Sequence, residues 1–179
     1  CQIVGAITPE VDEMHVFQRT PHWVAPLPQV EYSAGWNRLM AALPFMQRIT
    51  YNYYRWMMVH TFSAATIGNK FMKGLINKIC LKHLADNVPD TALRAKLTPA
   101  YDATCKRLIL CSDYYPAISS SHAHLITEDI ARIEPEGVRT ADGQLHPLDI
   151  LVLATGFNAA AFMLPTRVTG QGGVDLAQQ

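Results

Sequence analysis

The chain has 179 residues, a length that suits one domain or one and a half. Hydrophobic residues make up 49% and charged residues 17%, a composition that excludes an intrinsically disordered chain. The formal net charge is zero, so the sequence gives no global reason to bind nucleic acid or an anionic membrane, and any anion site must be local.

The cysteines and the first residues bear on where the protein works. The four cysteines contain no C-x-x-C pair of the kind that structural zinc sites use, so we expect reduced thiols in a cytoplasmic protein. No basic segment followed by an apolar one opens the chain, so no signal peptide is predicted. The opening letters "CQIVGAI" predict a helix already in progress, and we expect an internal piece of a longer protein.

Residues 1–34 predict a helix followed by a strand. Ile3 and Ile7 lie four apart and would share one face of the opening helix. Residues 14–19 are rich in β-formers and predict a strand. Three prolines in residues 21–34 then predict an extended connection, because proline fixes its own backbone and restricts the residue before it.

Residues 35–97 predict helices. The aromatic stretch "YNYYRWMMVHTF", residues 51–62, is interrupted by Arg55 and His60 long before the roughly 18 apolar residues that a membrane span needs. Two uses of this stretch stay open, a helical cover packed on a core and an amphipathic helix on a membrane surface. A last short helix is predicted within residues 87–97. It begins either at Asp90, whose short polar side chain can cap free amides, or at Pro89, since proline is tolerated in the first turn of a helix.

Short strands are predicted over residues 98–157. The first is the apolar run at residues 108–111, and residues 124–140 have the character of a small antiparallel meander. Asp142 and Gly143 supply the positive φ angles that a tight turn needs, so a hairpin is predicted around them.

The last predicted strand is residues 149–153, an unbroken apolar run of the kind buried on both faces of a sheet. We expect it to share one sheet with residues 14–19, with the meander beside it, in an α/β fold. The small residues Ala154, Thr155 and Gly156 follow, and they would let another backbone or a flat cofactor approach closely. The alternative is an ordinary turn at the end of a strand.

Three basic residues stand at the ends of predicted strands. Arg19 ends one strand, whereas Lys106 and Arg107 begin another. At one end of neighbouring parallel strands these side chains could converge, and a guanidinium with an ammonium suits a phosphate group. The alternative is that all three are solvated surface charges.

Two further groups of residues predict neither a metal site nor a catalytic nucleophile. His122 and His124 could be a metal pair, but no third ligand lies nearby in the sequence, so we expect no metal site. The serines at 119–121 lack the G-x-S-x-G pattern of a nucleophile elbow and predict a loop.

Four ordered segments resemble one family. "VFQRTPHWVAP", "CKRLILCSDYYPAI", "DILVLATGFNAAAFMLP" and "TGQGGVDL" resemble signatures of the class B flavoprotein monooxygenases, the family of the Baeyer–Villiger and flavin-containing monooxygenases. The resemblance implies FAD and NADPH as cofactors, and O2-dependent oxygenation of a ketone or another lipophilic small molecule through a flavin peroxide. It implies a cytoplasmic enzyme with no nucleic-acid partner, and we do not expect membrane association.

The resemblance also implies a domain organisation. By this resemblance, the chain would form a partial Rossmann-like NADPH-binding domain with a small antiparallel meander and a helical insertion. The NADPH-binding domain would comprise residues 1–34 and 98–157, the insertion residues 35–97, and the return segment toward an FAD domain residues 158–179. The chain contains neither Gly-rich dinucleotide turn of the family, so we expect the isolated chain to be inactive.

Site residues follow from the matched signatures. Gln2 comes directly after the position of the family's Gly-rich turn, which would hold the pyrophosphate. Arg19 and Thr20 match the residues that contact the 2′-phosphate of NADPH, and Lys106 matches the lysine that shares this phosphate. Arg107 matches the arginine beside the flavin that stabilises the anionic peroxyflavin. The small residues at 154–156 are the remaining cofactor-binding residues.

One departure and two alternatives accompany the resemblance. The family has a proline and a glycine in the loop before Cys105, where this chain has Asp102, Ala103 and Thr104, and a threonine in place of glycine is expected to reduce the freedom of the loop. The first alternative function is an N- or S-oxygenating flavin monooxygenase. The second is a non-catalytic helical module, formed by residues 35–85, that binds a partner or a membrane surface.

Overall fold

The computed structural model describes residues 1–27, 31–156, 166 and 168–175 and combines helices with short strands. The helices are α1 (Gln2–Ile7), α2 (Ala34–Ala42), α3 (Pro44–Met58), α4 (Ala64–Thr66), α5 (Lys70–Asn87), α6 (Thr91–Leu97) and α7 (Tyr114–Ile118). A 3₁₀ turn follows α1 at Thr8–Glu10, and a π-helical turn at Val59–Ser63 joins α3 to α4. The strands are β1 (Met14–Phe17), β2 (Val24–Ala25), β3 (Ile109–Leu110), β4 (Ala123–Ile126), β5 (Ile130–Glu134), β6 (Gly137–Thr140) and β7 (Leu145–Pro147).

Short polar side chains start three of the helices. The side-chain oxygens of Ser33, Asn69 and Asp90 each accept a hydrogen bond from a backbone amide in the first turn of α2, α5 and α6. Such caps satisfy amides that have no partner within the helix. The cap at Asp90 was predicted from the sequence, and α6 begins at the next residue.

The parallel strands form two separate pairs. β1 pairs with β4, and β2 pairs with β3. The prediction that Arg19 and Lys106 lie at the ends of neighbouring strands is therefore wrong. The chain after Arg19 was predicted to be an extended connection without a strand of its own, but it contains β2, and the strand that follows Lys106 pairs with β2 rather than with β1.

The strands β5, β6 and β7 form an antiparallel sheet in that order. The turn between β6 and β7 contains Asp142 and Gly143, and Gly143 has a φ of +88°. A side chain at Gly137 would overlap the carbonyl oxygen of His146, so the close approach of β6 and β7 requires glycine there. The sheet begins later than the predicted meander, because residues 123–126 pair with β1 instead.

Two hydrophobic clusters form the core. The first joins β2, α5, α6 and α7, and its most deeply buried side chains include Leu84 and Tyr115. The second joins β2 and α5 to the loop before β3, and it contains Trp23, Ile76 and Ala103. The helix α5 contributes to both clusters, α6 contributes Leu97 to the first and α4 contributes Ala65 to the second, so these helices pack the predicted helical insertion against the strands.

The prediction of a buried strand at residues 149–153 is wrong. Ile150 is 80% exposed and Leu153 is 72% exposed, and no strand is formed there. Burial on both faces needs flanking strands and covering layers. Within the described residues nothing pairs with this run, and β1 pairs with β4 alone.

The helices α2 and α3 contain no buried residue. Large apolar side chains such as Phe45, Tyr51 and Trp56 are each about 60% exposed. Of the aromatic stretch at residues 51–62, Phe62 packs against the second cluster, whereas Tyr51 and Trp56 are not covered by the described core. In the described part of the chain, no helix has both the length and the apolar character needed to cross a membrane.

Candidate functional site

The segment that carries Arg19 leaves the sheet just after β1. The amide of Gln18 donates to the carbonyl oxygen of Ile126 at 2.9 Å, and its side-chain oxygen accepts from the hydroxyl of Tyr114 at 2.9 Å. The next residue, Arg19, is exposed, and Thr20 is half-buried. The fixed end of β1 thus presents the guanidinium to solvent.

Three hydrogen bonds then tie residues 21–23 to Tyr101 and to the first residue of β3. The indole nitrogen of Trp23 donates to the carbonyl oxygen of Tyr101 at 2.6 Å. The hydroxyl of Tyr101 donates to the carbonyl oxygen of Pro21 at 3.1 Å. The amide of Ile109 donates to the carbonyl oxygen of Trp23 at 3.0 Å. The loop after Arg19 and the loop that contains Lys106 are therefore bonded to each other.

Lys106 is held by an aromatic ring of the same network. Its ammonium nitrogen lies 4.7 Å from the centre of the Tyr101 ring, within the range of a cation–π contact. Burial lowers the pKa of His22 below 6.5, and the positive charge of Lys106 lowers it further. His22 follows Arg19 by three residues, so the charge of Lys106 acts on the loop that follows Arg19.

The loop before Lys106 is strained and clamped. Thr104 has a φ of +75°, a left-handed conformation that glycine adopts freely and a β-branched residue does not. The buried amide of Ala103 donates to the side-chain oxygen of Asn77 at 2.9 Å, and Lys73 lies 3.8 Å from Asp102. The threonine that departs from the family pattern thus occupies a position that favours glycine, and α5 holds the loop in place.

The three cations of the candidate site are exposed and available to an anion. Arg19, Lys106 and Arg107 form no ion pair with any described residue. Guanidinium and ammonium groups without a carboxylate partner can donate their N–H groups to a phosphate. The site therefore offers donors that suit a phosphate monoester.

Gln2 lies at a different place. It lines a cavity of about 260 Å³ at the carboxyl ends of β2 and β3, together with residues of the segments that follow these strands. The hydroxyl of Ser112 bonds both the amide and the carbonyl of Leu27 on the wall of this cavity. Lys106 precedes β3, so Gln2 and Lys106 lie toward opposite ends of this short strand pair.

The small residues at 154–156 are not joined to the other candidates. They follow the exposed run at 150–153, and Gly156 has a φ of +91°. Within the described residues, no hydrogen bond links them to Arg19, Lys106 or Gln2. The structure thus brings together the loops of Arg19, Thr20, Lys106 and Arg107, and it leaves Gln2 and residues 154–156 apart.

Three residues of the site were missed by sequence reasoning. Tyr101 and Asn77 anchor the loop of Lys106, and His22 responds to its charge. No sequence signal marks Asn77, which is one polar residue within a long helix. Tyr101 and His22 carry a weak signal, since each lies within a few residues of a predicted cofactor-binding residue.

No family model matches the sequence. Individual relatives do match it along nearly its whole length. An uncharacterized monooxygenase of Mycobacterium tuberculosis is 35% identical over 173 residues, which cover 97% of this chain and 34% of the relative. A Baeyer–Villiger monooxygenase of Streptomyces coelicolor is 32% identical over 177 residues, which cover 99% of this chain and 34% of the relative. The chain spans about a third of the length of the curated relatives it matches.

Solved structures share the fold. A crystal structure of OTEMO in complex with FAD and NADP superposes with a TM-score of 0.76 at 22% identity, covering 99% of this chain and 39% of that one. An open crystal structure of cyclohexanone monooxygenase superposes with a TM-score of 0.78 at 21% identity, covering 98% and 41%. Along nearly its whole length the chain is thus similar in sequence to Baeyer–Villiger monooxygenases, and it shares the fold of OTEMO and cyclohexanone monooxygenase, in agreement with the resemblance of its four segments to class B flavoprotein monooxygenases.

Proposed function

We propose that the protein is an FAD-containing monooxygenase that uses NADPH and O2 to convert a ketone into an ester or a lactone. This chain would form most of its NADPH-binding domain. The observation that carries the proposal is the bonded pair of loops that present Arg19 and Thr20 on one side and Lys106 and Arg107 on the other. Relatives named Baeyer–Villiger monooxygenase, at 29% to 32% identity, support this activity over heteroatom oxygenation.

The domain organisation of the proposal rests on one strand pairing. β2 precedes the helical region and β3 follows it, yet the two strands are paired. Residues 35–97 are therefore proposed to be an insertion into a partial Rossmann-like domain, which is made of residues 1–34 and 98–157 with the antiparallel sheet as its meander. Residues 158–179 would return toward an FAD domain.

Specificity for NADPH is proposed to come from the 2′-phosphate. Arg19 can donate two parallel N–H groups, Lys106 supplies a point charge, and Thr20 supplies a hydroxyl. Burial and the charge of Lys106 lower the pKa of His22, which lies beside the proposed phosphate site. NADH lacks the phosphate and would make none of these contacts.

A bound FAD would supply the activation of O2, which amino-acid side chains cannot perform. The part of this chain in that chemistry is proposed to be the guanidinium of Arg107. Arg107 is exposed next to Lys106, so a cofactor bound by Lys106 would lie within reach of both cations. A fixed positive charge stabilises negative charge that develops on a reacting oxygen.

The cellular location of the enzyme and its substrates are also part of the proposal. All four cysteines are free thiols, which favours a cytoplasmic protein. The substrate is proposed to be a small lipophilic molecule, with O2 as the second substrate. The neutral formal charge of the chain gives no reason to add a nucleic-acid partner.

Product analysis of the full-length protein tests this activity. The purified enzyme would be supplied with NADPH, O2 and, in parallel, a cyclic ketone, a tertiary amine and a thioether. We expect a lactone from the ketone, with one NADPH consumed for each product molecule. Conversion of the amine or the thioether without any lactone would favour the N- or S-oxygenating alternative. No NADPH consumption with any of them, and no flavin in the protein, would favour the non-catalytic module.

A further inference from the structure

A second group of polar side chains lies at the start of β1, away from Arg19. His15 and His124 are register partners on the parallel strands β1 and β4, so their side chains point to the same face. Glu13 precedes His15 by two residues and shares that face. Its Oε1 atom lies 2.9 Å from Nε2 of His15 and 3.4 Å from Nε2 of His124. One carboxylate oxygen thus contacts two imidazole nitrogens.

The three donor atoms converge on one point of a cleft. They lie within 4.8 Å of one another, and the cleft has a volume of about 480 Å³. His146 and Glu128 also line it, so a second carboxylate and a third imidazole face the same space. The ring centre of His146 lies 5.3 Å from that of His15. The cleft is therefore rich in groups that attract a cation.

The exposed side chains leave the donor atoms accessible to an ion from the solvent. The side chain of Glu13 is 63% exposed and that of His124 is 49% exposed, whereas that of His15 is 11% exposed. Nδ1 of His15 is buried and has no hydrogen-bond partner among the described residues. The polar contact of this ring is therefore made by Nε2, the atom that faces Glu13.

We propose that Glu13, His15 and His124 bind a divalent transition-metal ion, such as Zn²⁺ or Ni²⁺. Two imidazole nitrogens and one carboxylate oxygen are a donor set that zinc uses, with a fourth position left to water. Tetrahedral zinc holds its ligand atoms roughly 3.3–3.4 Å apart, given bonds of about 2.0–2.1 Å. Oε1 of Glu13 lies 2.9 Å and 3.4 Å from the two imidazole nitrogens, and all three atoms lie within 4.8 Å of one another, so small rotations of the exposed Glu13 and His124 side chains would bring the ligands into place.

The choice of metal follows from the ligands. Imidazole favours zinc, nickel and copper, whereas magnesium and calcium favour sites made of oxygen ligands alone. The ion would lie roughly 13–20 Å from Arg19, since four residues separate His15 from Arg19 and six separate Glu13 from it, along a chain that is mostly extended. It would bridge β1 and β4 at the end of the pair opposite to the candidate phosphate site, so it would stabilise the strand pair and take no part in cofactor binding.

The sequence-based rejection of a metal site rested on the wrong pair. His122 and His124 were considered together, but Nε2 of His122 lies 2.9 Å from the carbonyl oxygen of Thr8. The partners of His124 come from β1 and its preceding turn, which no local spacing in the sequence connects to it.

The test is a titration of the full-length protein, prepared without a histidine tag, with ZnCl2 in a calorimeter. Glu13→Gln and His124→Ala each remove one ligand, and both positions are exposed, so the variants should fold. His60→Ala removes an exposed imidazole outside the cluster and serves as the matched control. Circular dichroism and thermal unfolding in EDTA check that all four proteins are folded.

We expect one zinc site that weakens at least tenfold in Glu13→Gln and in His124→Ala, and that keeps its affinity in His60→Ala. NiCl2 should give the same order of variants, and MgCl2 should give no heat from this site. Absence of zinc binding by the parent protein would overturn the proposal. Equal zinc affinity in the parent and in both ligand variants would overturn it as well, because the metal would then be bound elsewhere.

Discussion

The indole nitrogen of Trp23 donates a hydrogen bond of 2.6 Å to the carbonyl oxygen of Tyr101, a residue 78 positions further along the chain. The hydroxyl of Tyr101 donates in return to the carbonyl oxygen of Pro21 at 3.1 Å. Because the ammonium of Lys106 lies over the ring of Tyr101, this one aromatic residue links the loop of Arg19 to the loop of Lys106. The link joins two segments that lie before and after the helices α2 to α6.

Removal of the Tyr101 hydroxyl should loosen the candidate site without removing the ring below Lys106. Tyr101→Phe loses one hydrogen bond, which corresponds to about 0.5–1.5 kcal/mol of stability. We expect this loss in urea unfolding of the full-length protein, with a rise in KM for NADPH and little change for NADH. Tyr53→Phe, at an exposed position, is the control. An unchanged KM for NADPH in Tyr101→Phe would show that this link does not position the phosphate ligands.

The backbone of Thr104 should be more stable with glycine. A left-handed conformation costs a residue with a β-carbon roughly 1–2 kcal/mol, and glycine avoids this cost. We therefore expect Thr104→Gly to unfold at a higher temperature than Thr104→Ala, although glycine usually destabilises ordered structure relative to alanine. Calorimetric melting of both variants measures the difference. An alanine variant more stable than the glycine variant would contradict the positive φ at this position.

The side chain of Asn77 should hold the Lys106 loop by accepting one hydrogen bond. Asn77→Ala leaves the fully buried amide of Ala103 without its acceptor, which costs about 1–3 kcal/mol. Asn77→Asp keeps an acceptor at the same place and should recover most of this stability. The comparison by chemical denaturation separates the hydrogen bond from side-chain packing. Equal losses in the two variants would mean that the bond to Ala103 is not the important contact.

Local signals explain how much of the fold could be predicted from the sequence. The strand β1, the cap at Asp90 and the turn at Asp142 and Gly143 were predicted, because each depends on a few consecutive residues. The strand β2 was missed, because it has two residues and lies within a proline-rich segment. It pairs with β3, which lies more than 80 residues further along the chain, and no local pattern encodes such a contact.

The errors in the sequence analysis also have physical causes. The apolar run at 150–153 indicates a need for burial, but it does not say which surface provides it. The cations Arg19, Lys106 and Arg107 were identified through the family signatures, and their roles stay predictions. Asn77 acts through a single hydrogen bond to a residue in another segment, and such a bond has no period or spacing that a sequence could reveal.

The pKa of His22 should report on the charge of Lys106. Burial and then the charge of Lys106 hold this pKa below 6.5, so the unfolded chain takes up a proton that the folded ring resists. Stability should therefore fall as the pH drops below about 6.5, and Lys106→Met should raise the pKa while leaving the contribution of burial. Adenosine 2′-phosphate should also raise it, whereas adenosine should not. NMR titration of the His22 ring measures each pKa, and a value that does not change in Lys106→Met would contradict the arrangement of the two loops.

The kinetics of two single variants test the central claim most directly. A hydrogen bond to a charged group contributes about 1.5–3 kcal/mol, so Arg19→Ala and Lys106→Ala should each raise KM for NADPH roughly tenfold to a hundredfold. KM for NADH should stay nearly unchanged, since NADH has no 2′-phosphate. Lys78→Ala removes an exposed cation elsewhere on the chain and should change neither value. Equal changes for NADPH and NADH in Arg19→Ala and Lys106→Ala would show that these residues do not recognise the phosphate.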